Sequence, residues 1–184
     1  MTERHAEKRL VYVFVLLIAM LLVTTTAFAV DYSVPIDSYD SFRNAVMDNG
    51  YDIDDAHGVQ CFNGVGLLWR QLGRWLDSGG TGAAKGTWSV EYARIANAGS
   101  EFELITRKED VKRGDVVVLD GPYTEGLWSI SEFGHIGFAD EDYDSSKSRQ
   151  MFLDQNYNSR AYFSVHEQIY GSFLGAFRYK AWHG

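Results

Sequence analysis

Cysteine is almost missing from this chain. Its 184 residues carry one, Cys61, so no intrachain disulfide can form. Histidine is scarce as well, five in all, and no H-E-x-x-H pair occurs, which leaves too few nitrogen and sulfur ligands for a catalytic zinc centre. Positive charge is short: 17 Lys and Arg stand against 25 Asp and Glu, for a formal net charge of −8. Without a basic run the chain is a poor candidate for nucleic acid, whose binding rests on neutralised phosphates. It is equally poorly suited to electrostatic adhesion to anionic membranes or wall polymers. No internal repeat or low-complexity tract is present. With 46% hydrophobic and 23% charged residues, the composition is globular and whole-chain disorder is excluded. The length suits one domain, expected to be a monomer.

What is plentiful lies first at the start. Arg4, Lys8 and Arg9 form a basic head, Leu10 to Val23 is uninterrupted apolar sequence, and Ala27-Phe28-Ala29 offers the small residues that a signal peptidase reads. Residues 1–29 are therefore expected to be a signal peptide. Because no charge occurs from Leu10 through Val30, a stretch close to the ~20 residues that cross a bilayer, an uncleaved anchor remains the alternative, and it would be the only membrane contact. Both readings put residues 30–184, a single domain, outside the cytoplasm, secreted or at the cell envelope.

Along that domain the patterning changes from helical to extended. Asp37 or Ser38 can cap a helix running to about Asp48, closed by Asn49-Gly50. From Gln60 to about Leu76 apolar residues recur at steps of three and four, with Cys61 in the first turn and Trp75 or Leu76 at the end of the buried stripe. The glycine-rich stretch from Gly79 to Gly86 lacks the phosphate-loop spacing and reads as a surface loop. Ser89 to Ala98 suggests a third helix, closed by Gly99. Then the period becomes two. A turn at Lys112-Arg113-Gly114-Asp115 leads into Val116–Leu119, and further strands are expected at 134–139, 151–155, 162–165 and 174–179. The Arg113-Gly114-Asp115 tripeptide needs no explanation beyond that turn. Helices followed by an antiparallel sheet make an α+β fold.

Taken alone, Cys61 reads as a small buried hydrophobe; its place at a helix start and its neighbours point to thiol chemistry. A thiol attacks as thiolate, and its ordinary pKa of about 8.5 is lowered by a helix N-terminus and by a neighbouring imidazolium. Gly58 permits a sharp turn into the helix, and an N–H of the first turn can face a developing oxyanion. Among the histidines, His57 is too near Cys61 in sequence and His183 is next to last, where mobility is expected. His135 sits in Phe133-Gly134-His135-Ile136-Gly137-Phe138-Ala139, where alternation puts His135, Gly137 and Ala139 on one uncrowded face. A catalytic imidazole needs a partner that fixes its tautomer. In Met151 to Tyr157, Asp154 and Asn156 share a face, and either can take that role; the charged loop 140–150 lets the two strands run antiparallel.

Together, Gly58-Val59-Gln60-Cys61, Gly114-Asp115-Val116-Val117-Val118, Gly134-His135-Ile136-Gly137 and Asp154-Gln155-Asn156-Tyr157 resemble the CHAP domain, the cysteine, histidine-dependent amidohydrolases/peptidases of bacteria and phages. The resemblance covers about Ser38 to the C-terminus. It implies a papain-like fold and hydrolysis of amide bonds in peptidoglycan, by an N-acetylmuramoyl-L-alanine amidase or an endopeptidase. In it Cys61 is the nucleophile, His135 the base, Asp154 stands where the family usually has Glu, and Asn156 matches the family Asn; Gln60 is a candidate to assist the oxyanion. No cofactor is required for that chemistry. Some members bind structural Ca²⁺ ahead of the cysteine, and Asp52, Asp54 and Asn63 match that pattern, with the carbonyls of Ala56 and Gly58. Two departures stand out: Asn63 replaces the usual Asp two residues after the cysteine, and Tyr157 replaces Trp. Hard oxygen donors suit Ca²⁺, and loss of one carboxylate weakens such a site. Two other readings remain open: a non-catalytic wall-binding or adhesion module of the same fold, and a papain-like protease or transglutaminase acting on protein.

Overall fold

The computed structural model describes residues 32–54, 58–97, 100–126 and 128–184. The expected signal peptide, the Ala56 carbonyl, His57 and Gly99 lie outside the described residues. No helix among the described residues is long and apolar enough to cross a membrane.

Helix α1 (Tyr39–Val46) starts where Ser38 Oγ accepts from the Ser41 N–H at 3.1 Å and buries Tyr39, Phe42 and Val46. Helix α2 (Cys61–Gln71) buries Val65, Leu67, Leu68 and Trp69. It ends five residues before the apolar period does. Gly73 takes the left-handed conformation (φ +70), its N–H bonds Arg70 O at 3.0 Å and the Arg74 N–H bonds Trp69 O at 2.9 Å. This double closure satisfies the last carbonyls and stops the helix. Of the two residues expected to end the buried stripe, Trp75 is 63% exposed and Leu76 is buried. Helix α3 (Gly86–Asn97) starts three residues earlier than its sequence pattern suggests.

The sheet follows. Strands β1 (Phe102–Ile105), β2 (Val116–Leu119), β5 (His135–Ala139), β6 (Gln150–Gln155), β7 (Phe163–Gln168) and β8 (Phe173–Tyr179) form one antiparallel sheet in the order β1-β8-β2-β5-β6-β7, and β3 (Tyr123–Glu125) pairs with β4 (Trp128–Ile130) as a separate hairpin. Helices first, then an antiparallel sheet: the architecture is the expected α+β one. Strand β2 is buried at all four positions, as a central strand covered on both faces must be. Val116, Val118, Ile136, Phe138, Leu153 and Phe177 pack with Phe42, Leu68 and Trp69 in one cluster. Val117, Leu119, Ala139, Phe152 and Ala176 pack with Ile105, Val111 and Tyr170 in a second.

The Arg113-Gly114-Asp115 turn is consumed internally. Asp115 has no solvent exposure and takes a two-pronged bond from Arg178, Nε to Oδ1 at 3.0 Å and NH2 to Oδ2 at 2.8 Å. Arg113 donates to Asp40 Oδ1 at 2.6 Å. His183 Nε2 lies 3.3 Å from Asp115 Oδ1, and the His183 backbone N–H bonds Lys180 O at 3.1 Å.

Candidate active site

Two layers meet at the start of β5. From the helical layer comes Cys61, the first residue of α2, half-buried and in the free thiol form. From the sheet comes His135, the first residue of β5. Both side chains line a cleft of about 550 Å³ shared with Gln60, Phe62, Ser131 and Asn156, and the Cys61 sulfur is close enough to act on the His135 pKa. The fold brings these two residues, distant in sequence, to one cleft.

The imidazole is clamped from behind. His135 Nε2 hydrogen-bonds Asp154 Oδ2 on β6, so the remaining nitrogen, Nδ1, is the one available to sulfur. Asp154 is 1% exposed and its Oδ1 has no hydrogen-bond partner among the described residues. The register explains the contact. Phe138 pairs with Leu153 and Ala139 with Phe152, which leaves Gly137 beside Asp154. A Cβ on Gly137 would lie 2.4 Å from Phe152 Cε1 and 2.9 Å from Asp154 Cβ. Glycine is required there so that the carboxylate can slide under the histidine. Burial pulls the imidazole pKa down, but the charges of Asp154 and Cys61, and hydrogen bonds from both, outweigh it and hold His135 well above the ordinary 6.5.

Asn156 does not share this task. Strand β6 ends at Gln155, and Asn156 adopts φ +72, outside extended geometry, so the alternation that would align it with Asp154 is broken. Its Nδ2 instead donates to Gln60 Oε1 at 2.7 Å. The choice left open by sequence, Asp154 or Asn156 as the partner of His135, falls to Asp154.

Two residues without an assigned role in the sequence also enter. Gln155 is fully buried; its Nε2 donates to Tyr51 O at 2.7 Å and Gln60 O at 2.6 Å, and its Oε1 accepts from the Tyr51 N–H at 3.0 Å. One amide thus ties β6 to the segment before the nucleophile. His166 on β7 stacks on Tyr157, with ring centroids 3.6 Å apart and planes 8° apart, and brings Nε2 within 3.6 Å of Asp154 Oδ2. Burial lowers its pKa despite the nearby Asp154 charge. Diagonal placement across β6 and β7, where Phe152 faces His166 and Asp154 faces Ser164, could have signalled this neighbour once the register was known. His135, Asp154 and His166 place ligand atoms within 4.8 Å of one another, the one such metal-competent grouping among the described residues, but the His135 and Asp154 atoms are already joined by their own hydrogen bond.

Ahead of α2, Asp52, Asp54 and Asn63 do come together. Asn63 is 1% exposed, and its Nδ2 donates to Asp52 Oδ1 at 3.1 Å, Asp54 Oδ1 at 3.2 Å and Gly58 O at 2.7 Å.

No family model matches the chain. Among solved structures, the fold is similar to that of a wild-type endolysin, LysIME-EF1, with a TM-score of 0.50 and 20% identity; the match covers 75% of this chain and 61% of that one.

Proposed function

We propose that this protein is a peptidoglycan hydrolase that cleaves amide bonds of the wall peptide with Cys61 as nucleophile. The observation that carries the reading is the Cys61–His135–Asp154 arrangement: a half-buried cysteine at a helix N-terminus shares a cleft with an imidazole that a buried carboxylate hydrogen-bonds from behind. The endolysin-like fold and the resemblance of four ordered motifs to CHAP domains support peptidoglycan as the substrate.

In this mechanism the Cys61 sulfur, having given its proton to His135, attacks the carbonyl carbon of the scissile amide. Charge develops on the carbonyl oxygen, where first-turn N–H groups of α2, which lack intrahelical partners, receive it. Gln60 makes no side-chain cap over that turn. Gln60 Oε1 accepts from Asn156 Nδ2, and in this mechanism the nitrogen end of the Gln60 amide serves as a donor to the oxyanion. His135 then delivers its proton to the leaving nitrogen as the C–N bond breaks, giving a thioester on Cys61 and a free amine. Water, deprotonated by His135, attacks the thioester; the acid product leaves and the thiol is restored. The carboxylate of Asp154 stabilises the imidazolium in both halves.

The test is Cys61→Ala. Purified cell walls treated with the wild-type chain should release soluble fragments whose new ends, read by mass spectrometry, are a free amine and a free carboxylate. Cys61→Ala should keep its melting temperature and release none. Wall solubilisation by that variant at the wild-type rate would defeat the proposal. The mass of the fragments also distinguishes cleavage at the sugar–peptide junction from cleavage inside the peptide.

A further inference from the structure

The acidic loop before the nucleophile is arranged like a cation cage, yet a nitrogen stands at its centre. Three oxygens, Asp52 Oδ1, Asp54 Oδ1 and Gly58 O, converge on Asn63 Nδ2 at 3.1, 3.2 and 2.7 Å. These are hydrogen-bond lengths to an N–H donor. The orientation of the amide is dictated by its surroundings. A backbone carbonyl can only accept, and two carboxylates prefer to. With the amide turned over, Asn63 Oδ1 would sit against the Gly58 carbonyl oxygen with no proton between them. The chosen orientation has a cost, because Oδ1 is left buried with no hydrogen-bond partner among the described residues. The demand of three acceptors for a donor at the cage centre outweighs that cost.

Calcium requires six to eight oxygens at about 2.3–2.6 Å. An ion at that point and the Asn63 NH₂ group cannot occupy the same space, and the side chain nearest the centre presents a donor where a ligand oxygen is needed. We propose that Asn63 is a built-in substitute for a cation: its amide bridges the loop around Asp52 and Asp54 to the first turn of α2, so that the helix carrying Cys61 is braced without calcium. The position matters, since Asn63 lies two residues after Cys61, and whatever holds that turn sets where the thiol points. An amide does this with hydrogen bonds alone. The enzyme would then keep its geometry in chelator and at the low free calcium that would empty an ion-dependent relative. Aspartate at position 63 would set a third carboxylate beside Asp52 and Asp54 where asparagine now donates to both, and would be repelled unless an ion joined it.

That asymmetry supplies the experiment. The full chain, stripped with EDTA, is titrated with CaCl₂ and followed by thermal unfolding and by calorimetry, readouts independent of any activity. The wild-type melting temperature should stay within about 1 °C from chelator to millimolar Ca²⁺, with no heat of binding. Asn63→Asp should melt several degrees lower in EDTA and recover on adding Ca²⁺, with a binding isotherm that the wild type lacks. If Asn63→Asp folds only when Ca²⁺ is present during refolding, the proposal is equally supported. A wild-type protein stabilised by several degrees with Ca²⁺ would overturn it, as would an Asn63→Asp protein that matches the wild type in EDTA or stays unfolded with and without Ca²⁺.

Discussion

Replacing Asp154 by asparagine removes one charge and almost no volume, so it isolates what the carboxylate does for His135. The imidazole is buried, which by itself disfavours its charged form, and the charge of Asp154 does most to offset that penalty. A hydrogen bond to a charged partner contributes about 1.5–3 kcal/mol. At 1.36 kcal/mol per decade, its loss from the transition state predicts a fall of roughly 10- to 150-fold in kcat/KM. The amide also offers a donor to Nε2, which favours the wrong tautomer, so the upper part of that range is expected. The pH profile supplies the sharper reading. Because the folded-state pKa of His135 is raised, the alkaline limb that His135 sets is expected above the ordinary 6.5. In Asp154→Asn burial acts unopposed by that charge, and the limb moves toward acid. The same sign governs stability: a raised folded pKa stabilises the native state fully below the unfolded value near 6.5, and this is lost as pH rises through the folded value. The stability gap between wild type and variant should therefore be widest in mild acid and narrow in alkali. Initial rates of wall clarification and of Cys61 alkylation by iodoacetamide, each taken from pH 5 to 9, measure the limb. Wild-type rates with an unmoved alkaline limb would show that Asp154 does not act through His135.

Two further substitutions probe the frame around the relay. Gln155→Leu strands the Tyr51 N–H, the Tyr51 carbonyl and the Gln60 carbonyl in a buried place; the loss should be on the order of 3 kcal/mol, read as a drop of about 6–12 °C in Tm. Alkylation of Cys61 should slow at temperatures where the variant is still folded, because the turn bearing the thiol has lost its tie to β6. Asp115→Ala leaves Arg178 buried without its carboxylate, and urea denaturation should report a destabilisation of about 3–5 kcal/mol; a change under 1 kcal/mol would mean the pair is hydrated.

Much of the fold is readable in the sequence because its signals are local. The capped start of α1, the apolar run of β2 and the alternation around His135 each depend on a few adjacent residues, and the pairing of β5 with β6 follows from the charged loop between them. What the sequence hides depends on register or on backbone chirality. The apolar period of α2 continues to Leu76 although Gly73 has already closed the helix. Counting in twos groups Asn156 with Asp154, and a single left-handed residue breaks the count. The β3–β4 hairpin is too short to show a period. The role of Gln155 is invisible until α2 is packed on β6, since its partners lie about a hundred residues away.

The bonds around Cys61 share a chemical bias that suits the proposed mechanism. Gln155 donates to the carbonyl of Gln60, and Asn63 donates to the carbonyl of Gly58 and to two carboxylates. Both amides act as donors toward the acceptor groups of the approach to α2. Neither accepts from the N–H groups of its first turn, and Gln60, the residue in the capping position, caps nothing with its side chain. An ordinary helix would gain about 1 kcal/mol from Ser, Thr, Asp or Asn at that position. Here such a cap would occupy the donors that an oxyanion needs and would place an acceptor oxygen against the developing charge. Bracing the turn through its carbonyls holds the thiol in place while leaving the positive end of the helix for the substrate. On this reasoning Gln60→Asp, which would both cap the helix and set a carboxylate beside the oxyanion, costs activity even as it strengthens the helix start.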